Sequence, residues 1–141
     1  MLTAEAILLT AITDSYGAPL AEYYFFPDNG LLYVCWHGQL TAAEVIRGVL
    51  EATRLLEVHA FQRVLNDKRD TGGDWSEALP WLEYEWLPKA VAAGLRAIAY
   101  IQSPNLEAQI VSQDFVAAVR SQVQISLFTT EEDAQEWLQT Q

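Results

Sequence analysis

The chain has 141 residues, the size of one domain, and a formal net charge of −11. This acidic balance argues against nucleic acid and against anionic lipid surfaces as partners, because both are polyanions. Hydrophobic residues make up 51% of the chain, which excludes a disordered composition. The single cysteine, Cys35, excludes an internal disulfide and a thiolate metal cluster.

The first residues carry no targeting signal that the sequence reveals. They lack the positively charged region of a signal peptide, and the apolar piece 7–12 is too short to span a bilayer. We therefore expect a cytoplasmic protein without membrane insertion, folded as a single domain over 1–141. Whether residues 1–19 include an extra strand, over 5–12, is left open.

A β-hairpin follows. Residues 20–26 are rich in aromatics, as is typical of a strand, and residues 31–36 form the returning strand. The tetrapeptide 27–30 (PDNG) predicts the turn between them, because Asn-Gly accepts the positive φ angles of a tight turn.

The rest of the chain alternates between helices and strands. Thr41 and Glu44 form a capping-box pattern that predicts a helix over 42–57. Further helices are predicted over 75–87, over 106–122 and after the capping residue Thr130. Short strands are predicted over 63–65, 96–102 and 124–128. The order indicates an α/β fold: a mixed, largely parallel sheet of about five strands covered by about four helices, with right-handed crossovers.

The stretch 65–75 (LNDKRDTGGDW) has five charged residues among eleven and is predicted to be a loop after a strand. Ligands of open α/β sheets bind at the carboxyl ends of parallel strands, where the strand order reverses. One interpretation is therefore a ligand or partner site, with Asp67 and Asp70 as hydrogen-bond acceptors and Trp75 as an apolar wall. The other is a turn that Asp67 braces and Asp74 caps. The candidate residues expected at this edge are His37, Asn66, Asp67, Asp70, Thr71, Trp75 and Ser103.

The helix that follows holds three of the five tryptophans. Trp75, Trp81 and Tyr84 cannot all lie on its core face, because only neighbours three or four apart lie together. Exposed aromatics are typical of interfaces, and two-fold self-association is the commonest oligomer, so a homodimer is predicted. The alternative is a helix that packs on two sides.

Catalytic and metal-binding patterns are absent. No serine or cysteine lies in a nucleophile elbow, and neither histidine has metal-ligand spacing. A structural role is favoured for His37. We expect no enzyme, no cofactor and no metal.

Several ordered patterns together resemble the SpoIIAA-like, or STAS/SEC14-type, bacterial domain family. These patterns are the hairpin ending in 36–38 (WHG), the pair 66–67 (ND), the tryptophan-rich helix up to 86–88 (WLP), and the tail 128–138 (FTTEEDAQEWL). The resemblance implies a non-catalytic α/β domain used in protein regulation or small-ligand sensing, and some relatives bind lipids. Its regulatory branch has a phosphorylatable serine after the third strand, and here only Thr71 or Ser76 could take a phosphate.

Three hypotheses follow. The first is a regulatory domain that binds a protein partner or itself through residues 67–86. The second is a carrier or sensor of a small apolar ligand held between sheet and helices. The third is an enzyme acting through Asp67 and His37, which a close pair of these residues in a cleft would support.

Overall fold

The computed structural model describes residues 6–141, and a mixed six-stranded sheet forms its centre. The strands, in chain order, are β1 (Ile7–Thr13), β2 (Pro19–Phe26), β3 (Leu31–Gln39), β4 (Arg63–Gly72), β5 (Ala97–Ile101) and β6 (Gln124–Phe128). The first three strands are antiparallel neighbours, whereas β3 to β6 are parallel. The predicted α/β class and mixed sheet are thus confirmed, with six strands instead of about five. The optional N-terminal strand exists as β1.

Helices fill the connections between the parallel strands, and a last helix follows β6. They are α1 (Ala42–Val58), α2 (Leu79–Trp81), α3 (Leu87–Ala92), α4 (Leu106–Val119) and α5 (Glu131–Gln139). A 3₁₀ turn (Ser76–Ala78) precedes α2, and a π-helical turn (Leu82–Trp86) joins α2 to α3. Residues 76–92 therefore wind as one helical segment, called here the 76–92 helix.

The local signals in the sequence act as predicted. The Thr41 side chain accepts from the Glu44 amide, and the Glu44 carboxylate accepts from the Thr41 amide, which completes the capping box of α1. Thr130 accepts from the Asp133 amide at the start of α5. The hairpin turn differs in part: a 3₁₀ turn (Pro27–Asn29) leads into Gly30, which has a positive φ of 57°, and the positive φ expected for Asn29 does not occur.

The strands lie across the sheet in chain order, without a reversal. The expected reversal point in the strand order is therefore wrong. Because every crossover between parallel strands advances in one direction, the right-handed rule places α1, the 76–92 helix and α4 on one face. The helix α5 follows the last strand and packs on the other face, against β4, β5 and β6.

Two separate cores result. The larger core lies under α1, the 76–92 helix and α4, and the smaller lies under α5. Side chains of β4 alternate between them: Val64 belongs to the larger core and Leu65 to the smaller. The two faces of β4 thus lead to two different environments.

Candidate functional site

The strand β4 carries most of the polar residues predicted from the sequence. It runs to Gly72, whereas a strand ending at residue 65 and a following loop were predicted. That prediction is wrong because β3 is also long, and its end pairs with the end of β4: Gly38 is opposite Thr71, and Gln39 is opposite Gly72. Asn66, Asp67 and Asp70 are therefore strand residues whose side chains the sheet fixes.

The helix-covered face of β4 lines an internal cavity. It lies between the sheet, α1 and the 76–92 helix, and its volume is about 40 Å³. Apolar and aromatic side chains form most of the wall, and four polar residues, Thr53, Asn66, Lys68 and Tyr100, are included. The apolar lining residues are Val34, Trp36, Val45, Val49, Ala52, Leu56, Phe61, Val64, Leu82, Trp86, Ala90 and Leu95.

Lys68 is the charged residue of this cavity. Only 3% of its surface is exposed, and its Nζ atom lies 3.7 Å from the ring centroid of Trp75. The ring centroids of Trp36 and Tyr100 are each 5.2 Å from the same atom. Among residues 6–141, no carboxylate lies within 4.0 Å of this amine. Burial therefore acts alone and lowers the pKa of Lys68 to about 7.

Two further polar groups line the same cavity. The Trp36 indole Nε1 donates to Asn66 Oδ1 at 2.9 Å. Because an indole can only donate, this bond fixes the Asn66 amide with its NH₂ group on the other side. Tyr100 pairs with Asn66 across the sheet and is 6% exposed, and burial raises the pKa of its hydroxyl.

An outer groove continues the cavity toward solvent. It has a volume of about 410 Å³ between α1 and the 76–92 helix. Thr53, Leu56, Trp86 and Ala90 line both spaces. The Trp86 indole donates to Thr53 Oγ1 at 2.9 Å and so joins the two helices between groove and cavity. Trp86 ends the π-helical turn, a feature that is frequent at functional sites.

The opposite face of β4 holds an ion pair. Arg69 Nε and Nη2 donate to the two Asp67 oxygens at 3.0 and 2.6 Å, and the Tyr33 hydroxyl donates to Oδ2 of the same carboxylate. Burial raises the pKa of Asp67, but the bonds from Arg69 and Tyr33 outweigh it and hold that pKa below its usual value. Arg69 also reaches Glu131 of α5 at 3.4 Å.

His37 lies between two carboxylates on the same face. Its Nδ1 is 2.7 Å from Asp70 Oδ2, and its Nε2 is 2.9 Å from Glu22 Oε2. Burial opposes the charged form, but the bonds to Asp70 and Glu22 prevail and raise the pKa of His37. The two carboxylates thus stabilise an imidazolium ion. The His37–Asp67 pair that would support an enzyme is not formed.

One potential metal-ligand group lies beside this cluster. Glu22, Cys35 and His37 each offer an atom within 4.8 Å of the others. Burial, followed by the negative charges of Asp67 and Glu22, raises the pKa of the Cys35 thiol to about 11. The thiol is therefore protonated at neutral pH, and both imidazole nitrogens already have carboxylate partners, so this group favours a hydrogen-bonded cluster.

Two of the predicted edge residues, Thr71 and Ser103, do meet. Ser103 Oγ donates to the Thr71 carbonyl oxygen at 2.5 Å. The Thr71 hydroxyl is buried and donates to the Lys68 carbonyl oxygen at 2.8 Å, whereas Ser76 is half-buried at the start of its helix. As a phosphate acceptor, Ser76 is therefore the more accessible of the two.

The aromatic residues divide between core and surface. Trp75 is 1% exposed and forms a wall beside Lys68, not beside the carboxylates. Trp81 is half-buried against the larger core, and Tyr84 is 70% exposed. As predicted, Trp75, Trp81 and Tyr84 do not lie on one face. They also form no continuous surface patch, because Trp75 is buried.

Sequence reasoning missed Lys68, Trp36 and Tyr100. The signal existed for Lys68: in a longer strand, the alternation Val64, Asn66, Lys68 puts it on the buried face. No local pattern in the sequence indicates that Trp36 and Tyr100 lie beside Lys68, because they come from two other strands, β3 and β5.

Among the described residues, no helix has the length and apolar character needed to cross a membrane. The family model described as SpoIIAA-like matches residues 31–139. No curated protein is significantly similar to the chain. SpoIIAA-like domains are typically regulatory, protein-interaction domains and are generally not enzymes. Because the match spans most of the chain, the protein belongs to the SpoIIAA-like family.

Proposed function

We propose that this protein is a non-enzymatic binding domain that holds a small apolar ligand between its sheet and the helices α1 and 76–92. The supporting observation is the internal cavity, which is walled mostly by aliphatic and aromatic side chains and meets the outer groove at Trp86. Apolar walls with a few placed polar groups are the usual composition of small-molecule sites. Such a site would serve either a carrier of the ligand or a regulator that responds to it.

The cavity is small in this conformation. A volume of about 40 Å³ holds roughly two or three water molecules, so a larger ligand requires α1 and the 76–92 helix to separate. The Trp86–Thr53 hydrogen bond joins these helices where the cavity meets the groove. Its loss would be offset by the burial of ligand surface, at about 25 cal/mol per Å².

A neutral fluorescent probe tests the proposal. N-phenyl-1-naphthylamine should bind with a rise in fluorescence, and Val49→Phe should abolish binding because Val49 lines the cavity. Val58→Phe makes the same change at a position on α1 that is 69% exposed, and it should bind the probe like the wild type. The absence of binding to the wild type, or equal binding to the folded Val49→Phe variant, would contradict the proposal.

Self-association is the second candidate, and the exposure of Tyr84 favours it. A tyrosine that is 70% exposed beside the exposed residues Glu85 and Pro88 has the composition of an interface rim. Tyr84→Ser should lower the sedimentation coefficient at high protein concentration, if a dimer forms there. Tyr16→Ser is the control, because Tyr16 is 94% exposed in the turn between β1 and β2. Equal sedimentation of the wild type and both variants would reject this interface.

A further inference from the structure

The cavity contains a buried amine without a counter-charge. Lys68 is the fully enclosed amine described above, and no carboxylate of residues 6–141 pairs with it. Buried charges in proteins are normally paired, because an isolated charge in an apolar environment is costly. We infer that the ligand of this cavity is an apolar chain with one carboxylate group, and that the Lys68 ammonium group binds this carboxylate. The inference rests on the proposed ligand-binding function and names the class of ligand.

The other polar groups around Lys68 are also donors. The Asn66 amide oxygen is occupied by Trp36, which leaves its NH₂ group without a partner among the described residues. The Tyr100 hydroxyl likewise makes no hydrogen bond among the described residues. Burial alone raises its pKa. The Trp75 ring lies against the Lys68 amine outside the cavity lining, and its buried indole Nε1 is also without a partner in residues 6–141. A set of free donors selects an acceptor, and a carboxylate offers only acceptors.

The charge of the site limits the ligand to a monoanion. Lys68 contributes one positive charge, and the aromatic rings around it favour a cation but supply no further charge. A carboxylate would be neutralised by this amine, whereas a phosphate monoester would bring a second, uncompensated charge into an apolar cavity. A carboxylate would also restore the positive charge of Lys68, whose pKa burial lowers to about 7.

The cavity and the groove offer a path for the alkyl chain of such a carboxylate ligand. Toward the groove the cavity wall is mostly apolar, with Leu56, Trp86 and Ala90 beside the single polar residue Thr53. An alkyl chain could therefore extend from Lys68 toward the outer groove. The single lysine of that groove, Lys89, is exposed at the solvent side. A carboxylate at the mouth would meet Lys89, and a carboxylate inside would meet Lys68, so the two lysines distinguish the two orientations.

Three ligands with the same chain test the inference: decanoate, decan-1-ol and decylamine, each titrated to displace N-phenyl-1-naphthylamine. Decanoate should bind the wild type about 10- to 100-fold more tightly than decan-1-ol, because hydrogen bonds to charged groups stabilise by about 1.5–3 kcal/mol. Decylamine should bind most weakly. Lys68→Met should remove the preference for decanoate while decan-1-ol still binds. Tyr100→Phe should weaken decanoate binding by a smaller factor.

Lys89→Met is the matched control and should keep the preference of the wild type. Loss of the preference in Lys89→Met, with Lys68→Met unchanged, would overturn the inference by placing the carboxylate at the groove. Equal binding of decanoate and decan-1-ol to the wild type would overturn it and leave the proposed apolar-ligand function standing. If neither these ligands nor the naphthylamine probe binds, the proposed function itself fails.

Discussion

Lys68 Nζ lies 3.7 Å from the centroid of the Trp75 ring, inside the larger core. The two residues are seven positions apart: Lys68 lies within β4, and Trp75 lies three positions after its end. The cation therefore faces an aromatic surface, without a carboxylate partner among the described residues. Such contacts recover part of the cost of burying the charge, but less than an ion pair in the same place would.

Replacing this lysine should stabilise the empty protein. Lys68→Met keeps the volume and removes a buried amine, so the free energy of unfolding should rise by roughly 4 kcal/mol at pH 7. The folded pKa is lowered, to about 7, so the unfolded state binds more protons between that pH and the ordinary lysine pKa. Wild-type stability should therefore increase with pH from about 7 to about 10. Urea unfolding across this range should show a flatter profile for Lys68→Met, and Lys89→Met should behave like the wild type.

Asp67, whose carboxylate lies on the other face of β4, should stabilise the fold at neutral pH but not at strongly acidic pH. The pKa of Asp67 is lowered in the folded state, so its contribution is present above the unfolded pKa and is lost as the pH falls through the folded pKa. Asp67→Asn should cost about 2 kcal/mol at pH 7, because Arg69 and Tyr33 lose a charged acceptor. Acid unfolding followed by circular dichroism checks this. A variant with the wild-type acid midpoint and stability would show that the pair contributes nothing.

His37 should make the protein more stable on the acidic side of neutrality. Its folded pKa is raised, so the stabilisation is complete below the unfolded pKa of about 6.5 and is lost as the pH rises through the folded pKa. His37→Gln should remove this dependence and cost about 0.5–1 kcal/mol at pH 6. The chemical shifts of the imidazole, followed by NMR against pH, report the pKa directly. A His37 pKa at or below its ordinary value would contradict the prediction.

The close approach of α1 to the sheet depends on Gly48. A Cβ atom at this position would lie 2.2 Å from the outer ring of Trp36, the residue that fixes Asn66. Gly48→Ala should therefore destabilise the protein by about 1–3 kcal/mol, despite the better helix propensity of alanine. Trp36→Phe removes the ring atoms that clash, so Gly48→Ala should cost much less in that background. Thermal unfolding of the four proteins of this cycle measures the coupling, and additive effects would disprove the contact.

Phosphate-like charge should be tolerated at Ser76 but not at Thr71. Thr71 is buried and its hydroxyl is bonded to the Lys68 carbonyl oxygen, so Thr71→Glu should lower the free energy of unfolding by several kcal/mol, on the order of a buried unpaired charge. Ser76 is half-buried at a helix start, where negative charge is favourable, and Ser76→Glu should change stability by less than about 0.5 kcal/mol. Comparable unfolding midpoints for the two variants would refute this difference.

Local chemistry in the sequence determined much of the fold. Thr41 and Glu44 fix the start of α1 because a capping box is made within four residues, and Thr130 does the same for α5. The bounds of β6, 124–128, follow from a short apolar run and agree with the structure. These features need only neighbours in the chain, so the sequence reveals them without knowledge of the fold.

The position and surroundings of the candidate site depend on contacts between segments that are distant in the sequence. The strand β4 extends to Gly72 only because the end of β3 offers it hydrogen-bonding partners. The surroundings of Lys68 need Trp36 from β3 and Tyr100 from β5, each some thirty positions away along the chain. A lysine in a polar stretch indicates a solvated loop when read alone. In the folded protein the Lys68 side chain is buried, because β4 extends past it and every second side chain of a strand points toward the same face of the sheet.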